Sequence, residues 1–235
     1  MKKNETNKPK KILILGDSLL KPIIINDAHR YATSDHVDWA NIEKTLNVQL
    51  VNKSKMGASI NHGIKLMREN IAADKYDSVL IEYGGNDCDF NWKKICESKG
   101  THLPNISPEE FEQTLREMIN IANSHNVKPI LMTRPPIIAL RYFDWITKNE
   151  VNVDNIMHHF NNDVEIIYRY QEYYSYLIRN IAEDTGTEVV DARPKFLLRK
   201  DLYDLICIDG IHPTALGSQV IIDAFIEKYK QLENQ

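Results

Sequence analysis

The stretch Lys10-Lys11-Ile12-Leu13-Ile14-Leu15-Gly16-Asp17-Ser18 decides the fold class. Four consecutive branched apolar residues without polar alternation mark a strand buried on both faces, and the glycine after them permits a sharp turn. Four further runs follow, at Val48–Val51, Val79–Tyr83, Pro129–Thr133 and Glu188–Val190. Between them lie longer segments of helical period, at Trp39–Leu46, Ile60–Ala72, from Ser107, from about Asp163 to Asp184, and from Thr214. Strands alternating with helices predict an α/β fold, a five-stranded parallel sheet wrapped by helices.

The helix ends are written in the sequence. Ser107-Pro108-Glu109-Glu110 offers an N-cap serine, proline at the first helical position and a capping-box glutamate. Phe111, Leu115, Met118, Ile119 and Ala122 then recur at helical spacing and give one apolar face. Gly186 is placed to end the helix before the last strand. Of the tyrosines 168, 170, 173, 174 and 176, not all can face one side of that helix. Two connections, Cys88–Ile106 and Pro135–Asn162, are longer than ordinary strand-to-helix loops and leave the carboxyl ends of strands. Open α/β sheets place their ligands at that edge.

The 235 residues carry 29 Lys+Arg against 33 Asp+Glu, a net charge of −4, with 43% apolar residues. That balance suits one sizeable core and lacks the basic excess of a nucleic-acid binder. Three cysteines (Cys88, Cys96, Cys207) cannot build a disulfide framework, and their spacing is not that of a zinc knuckle. No stretch approaches the ~18–20 apolar residues of a membrane span, and Ile12–Leu15 is too short for a secretory h-region. The expectation is a disordered arm over residues 1–10, then a single domain over 11–235, in the cytoplasm, with no nucleic-acid or membrane partner.

Four short blocks carry chemistry. Gly16-Asp17-Ser18 puts a serine just past the first strand. Asp209-Gly210-Ile211-His212 sets a carboxylate and an imidazole three residues apart, so that the acid can hold the imidazole by its Nδ1–H and leave Nε2 as a base. Gly84-Gly85-Asn86-Asp87, after the third strand, offers an amide that can donate to a developing oxyanion. Gly57, after the second strand, could add a backbone N–H. Each block alone also reads as an ordinary turn or helix cap. Together they follow different strands at the same sheet edge.

In these blocks, complete and in order, the sequence resembles the GDSL/SGNH hydrolases from residue 11 to about 230. The resemblance implies a flavodoxin-like three-layer α/β/α fold and ester hydrolysis through an acyl-enzyme, without cofactor or metal. Ser18 would be the nucleophile, His212 the base and Asp209 its orienting acid. The Ser18 and Gly57 backbone N–H groups and the Asn86 side chain would form the oxyanion hole. Asp17 and Asp87 would shape the loops. The Gly-x-Ser-x-Gly elbow of α/β-hydrolases is absent.

Two other readings use the same residues. Asp17, Asp87, Asp209 and His212 could gather as hard ligands of a metal-dependent phosphoesterase, although no second histidine lies near His212; His158-His159 reads as a solvated loop pair. A catalytically idle ligand-binding module on the same fold is the third reading. For the substrate, Phe90 and Trp92 in one long connection, with Tyr142, Phe143 and Trp145 in the other, are expected to wall the pocket. Arg134, straight after the fourth strand, faces either a polar or anionic substrate group or a nearby carboxylate. The connections lack an extended apolar tract. Short-acyl, acetyl-like esters of a carbohydrate or other small alcohol are therefore the expected substrates.

Overall fold

The computed structural model describes residues 8–25, 29–148 and 152–234. In chain order the elements are β1 (Lys10–Gly16), β2 (Ile23–Ile25), β3 (Tyr31–Thr33), α1 (Trp39–Leu46), β4 (Val48–Asn52), α2 (Ile60–Ala73), β5 (Ser78–Glu82) and α3 (Gly85–Cys88). They continue with α4 (Trp92–Glu97), α5 (Pro108–Ser124), β6 (Lys128–Met132), α6 (Ala139–Ile146), α7 (Val153–His159), α8 (Ile166–Thr185), β7 (Glu188–Val190), α9 (Pro194–Leu197), α10 (Leu202–Leu205) and α11 (Ala215–Glu233).

Five strands form one parallel sheet in the order β4-β1-β5-β6-β7, with β1 central enough to pair with both β4 and β5. This is the doubly wound, flavodoxin-like order, in which the chain reverses direction across the sheet beside the first strand. The alternation hidden inside the apolar runs becomes visible as two cores. Leu13, Leu15, Val79, Ile81 and Leu131 point to one face and meet buried residues of α2, α5 and α8. Ile12, Ile14, Leu80, Ile130, Met132 and Val190 point to the other and meet α1 and α11. A side-chain period of two thus fills both faces of each strand with hydrocarbon, and three layers result.

The caps follow the sequence with one difference. The Ser107 hydroxyl accepts from the Glu110 backbone N–H, Thr214 accepts from Gly217, and Gly186 adopts a left-handed conformation after α8. The expected capping box at Glu110 does not close, because its carboxylate accepts a 2.7 Å hydrogen bond from the Asn61 side chain of α2 instead. The tyrosine ladder splits as its spacing requires: Tyr174 is fully buried against Phe111, whereas Tyr173 and Tyr176 are exposed and stacked on each other.

Three expectations are corrected. Lys10 is not part of a disordered arm, since it pairs with Val48 in the sheet and its ammonium meets Glu233; residues 1–7 lie outside the described residues. The connections 88–106 and 135–162 are not continuous loops but carry short helices. They supply α4, α6 and α7, which pack with the start of α8 into a third apolar cluster containing Phe90, Ile95, Tyr142, Ile156, Phe160 and Ile167. These helices are short and share apolar positions with one another rather than with the sheet, so no long period announced them. Accordingly His158 and His159 end helix α7, and the His159 ring packs edge-on against Phe90 at 5.1 Å between centroids. The small antiparallel pair of β2 and β3, also unforeseen, folds over the carboxyl edge of the sheet and brings Tyr31 there.

Candidate active site

At the end of β1 the chain turns through Asp17, and Ser18 is left almost buried, 7% exposed, on the carboxyl edge of the sheet. Its Oγ lies 2.9 Å from His212 Nε2. The other imidazole nitrogen, Nδ1, makes a short contact with Asp209 Oδ2. Asp209 is fully buried, and its Oδ1 accepts the backbone N–H groups of Ile211 and His212, each at 3.2 Å. The acid thereby holds both the ring and the loop that carries it.

That loop is fastened from two sides. The backbone of Ile206 bridges Pro213, and Cys207 N–H donates to the His212 carbonyl at 2.8 Å. From α6, Arg141 donates to the carbonyls of Tyr203 and Ile206, while Ile138 N–H donates to Gly210 O at 2.8 Å. Gly210 sits at φ 80°, with the Ile138 carbonyl and the Tyr142 amide each 2.5 Å from where a Cβ would stand. Only glycine lets α6 approach the Asp209–His212 turn this closely. Tyr31 of β3 closes over the pair, its ring edge-on to the imidazole at 5.1 Å. Burial and the Asp209 carboxylate push the Tyr31 phenol up, so its hydroxyl keeps its proton.

The next part of the edge is built from β5 and the turn after it. The Asn86 side-chain amide lies at this edge and donates to Asp17 Oδ2 and to the Ala58 carbonyl, both at 3.1 Å. Two long bonds hold the amide beside the cavity, and catalytic donors commonly tighten onto their target only when substrate is bound. Gly57, at φ 73°, lines the same cavity as Ser18 and Asn86. Asp87 accepts the backbone N–H groups of Ile60 at 2.8 Å and Gly84 at 2.9 Å, which ties the start of α2 to the turn; burial pushes its carboxyl up to about 6. Its oxygens are turned to backbone, in line with the loop-shaping part expected for it.

Arg134 lines the same cavity, and its Nη1 is engaged by carboxylates. Its Nη1 donates to Asp17 Oδ2 at 2.9 Å and makes a shorter contact with Glu82 Oε1, all three side chains being buried. Burial and the Asp17 carboxylate raise the Glu82 carboxyl, and Arg134 lowers it in return. The carboxylate alternative offered by the sequence is the one realised. Asp17 also serves as an acceptor for Asn86, a link that the Gly-Asp-Ser tripeptide alone does not reveal.

A cavity of about 270 Å³ opens beside Ser18 and His212. Phe90, Tyr142 and Trp145 line it as expected, joined by Tyr31, Ile137, Ile167 and Ile211 from elements that the sequence did not connect. Trp92 is not in the wall; it stands behind Tyr142 and donates its indole N–H to the Tyr142 hydroxyl at 3.2 Å. Sequence reading also missed Asp89, whose side chain lines the cavity and accepts the Tyr142 hydroxyl at 2.7 Å. Its neighbour Asp87 drew the attention, and nothing in the sequence tied Asp89 to a tyrosine fifty-three positions away. Among the described residues no group of His, Cys, Asp and Glu is disposed to hold a metal ion.

This arrangement can move a proton from Ser18 Oγ to His212 Nε2, with Asp209 holding the imidazole by Nδ1, beside a side-chain amide donor. A family model for the GDSL-like lipase/acylhydrolases matches residues 14–220. The chain belongs to that family. Among solved structures it is similar to a lipase/acylhydrolase from Enterococcus faecalis, at 17% identity and a TM-score of 0.69, over 94% of this chain and 96% of that one. A GDSL-like lipase from Bacteroides thetaiotaomicron matches at 14% identity and 0.64, over 95% and 89%. A catalytic mutant of an acetylxylan esterase from Geobacillus stearothermophilus matches at 21% and 0.64, over 94% of each chain. No curated protein matches the sequence. Membership of the family makes this chain a hydrolase that acts on ester bonds.

Two outcomes follow from the geometry. Replacing Asn86 by Ala removes the side-chain amide from this edge and is expected to lower kcat by about 100- to 1000-fold, the usual effect of losing an oxyanion donor. Steady-state rates on a generic ester check this, and an unchanged kcat would take Asn86 out of the site. The second concerns stability. Burial raises the Asp89 carboxyl from 3.8 to about 6, so its stabilising protonation is complete below 3.8 and is lost as pH rises through 6. Urea midpoints should therefore decline less steeply from pH 4 to 7 in Asp89→Asn than in the parent chain. Equal slopes would contradict that assignment.

Proposed function

We propose that this protein hydrolyses carboxylic esters by a serine mechanism. Ser18 is the nucleophile, His212 the general base and then acid, and Asp209 the group that orients the imidazole and stabilises its charge. The observation that carries the reading is the unbroken chain from Ser18 Oγ to His212 Nε2 to Asp209. Attack of Oγ on the ester carbonyl builds negative charge on its oxygen, which the Ser18 and Gly57 N–H groups and the Asn86 amide receive. The alcohol leaves with the proton that His212 held, and water then releases the acyl group by the same steps in reverse.

The substrates that this reading favours are short-acyl, acetyl-like esters of a small alcohol or carbohydrate. The acetylxylan esterase among the similar structures supports an acetyl group at the level of the fold. Aromatic rings at the cavity wall suit the C–H faces of a sugar or the methyl groups of a small alcohol. Small-molecule or glycan ester partners, no nucleic-acid or membrane partner, and a cytoplasmic location stay part of the proposal. Among the described residues no helix is long and apolar enough to cross a membrane.

The test is a chain-length series of p-nitrophenyl esters, run on the parent chain and on Ser18→Ala with and without chelator. The expected result is a preference for acetyl over long acyl groups, a loss of at least ~10⁴-fold in Ser18→Ala, and no effect of chelator. Full activity in Ser18→Ala would overturn the mechanism. Chelator-sensitive cleavage of phosphate esters would replace it with the metal reading, and an optimum at long acyl chains would overturn the substrate class.

A further inference from the structure

Asp89 has no part in the mechanism above, yet it is the acidic side chain that the cavity wall shows beyond the catalytic groups. It is partly buried, and it lines the cavity. The hydrogen-bond donor that meets its carboxylate is neutral, the Tyr142 hydroxyl at 2.7 Å. Among the described residues no cation pairs with it. A carboxylate drawn out of water beside a neutral donor is costly to keep charged, and an arriving cation recovers much of that cost.

The surroundings point the same way. Phe90, Tyr142, Trp145 and Tyr31 present aromatic rings to the cavity, and ring faces attract cations. Trp145 already does so at its outer edge, where Lys148 Nζ lies 4.5 Å from the ring centroid. Two arginines at or behind the wall are already engaged by carboxylates. Arg134 is held between Asp17 and Glu82, and Arg193, behind Gln171 of the cavity wall, is held by Glu172. Asp89 adds negative potential at the wall, and Asp209 adds more behind His212.

We propose that Asp89 and the aromatic rings beside it form a cation subsite, and that the ester cleaved at Ser18 carries a small ammonium group there. This inference rests on the esterase reading for the word ester, but the subsite itself stands on the cavity. An amino alcohol or an amino-acyl group supplies the required chemistry. A neutral isostere of the same shape lacks the attraction to Asp89, and an anionic substrate meets repulsion.

Choline and its neutral isostere 3,3-dimethylbutan-1-ol are the probes. Each is titrated calorimetrically at pH 8 into the Ser18→Ala protein, so that binding is read without turnover. Choline is expected to bind at least ~10-fold more tightly than the isostere, the tenfold that ~1.4 kcal/mol of cation attraction gives. Asp89→Asn in the same background should erase the difference while binding of the isostere stays. Equal affinities in the Asp89 protein, or a choline preference that survives Asp89→Asn, would overturn the subsite. The comparison in the Asp89 protein decides the matter even where the asparagine variant does not fold. Labelling of Ser18 in the native chain by a fluorophosphonate reports separately on the nucleophile. Failure to label with choline preference intact would remove the esterase reading and leave the cation site.

Discussion

Arg134 between Asp17 and Glu82 is the contact on which the rest of the active edge depends. It ties together the ends of three adjacent strands, since Asp17 follows β1, Glu82 ends β5 and Arg134 lies just past β6. Breaking such a buried set by removing one partner typically costs about 3–5 kcal/mol, because the charge left behind has no water to meet. The arginine also dictates sequence nearby. A Cβ on Gly85 would stand 2.0 Å from its Nη2, so the glycine of the Gly-Gly-Asn-Asp block is there to admit the guanidinium. Through Asp17 the same set holds the Asn86 amide, which links an ion pair in the sheet to the proposed oxyanion hole.

This frame explains what the sequence could and could not disclose. Strands read from apolar runs, and caps read from Ser107, Thr214 and Gly186, are local matters, and each was legible to within a residue or two. Ser18 and Asn86 were legible because each follows a strand and the parallel sheet brings such positions to one edge. His212, which α9 and α10 separate from β7, was legible from its spacing to Asp209. What was not legible depends on contacts between distant segments. Arg134 has no local signal for its partners, 117 and 52 positions away, so it reads equally well as a substrate group. Helices α4, α6 and α7 bury their apolar positions against one another in a separate cluster, and six- to eight-residue helices carry too little period to be recognised.

Those same helices give the cavity its character. The sheet edge supplies a serine, an imidazole and an amide that many ester hydrolases could share, whereas α6 and the segment before α4 add Tyr142, Trp145, Phe90 and Asp89. The sheet edge and the cavity wall therefore come from different parts of the chain, joined where α6 pins the Asp209–His212 turn. With Arg134 paired and Asp89 on its wall, the cavity has the lining on which the proposed cation subsite rests. The overall charge of −4 does not reveal this, because it averages over the whole surface.

The central claim is a covalent acyl intermediate on Ser18. Mixing the protein with p-nitrophenyl acetate, quenching in acid within the first turnover and measuring intact and peptide masses tests it directly. The account predicts one acetyl group, confined to the peptide that contains Ser18 and absent when His212 is replaced by alanine. Turnover with no adduct on Ser18, or with the acetyl group on another residue, would contradict it.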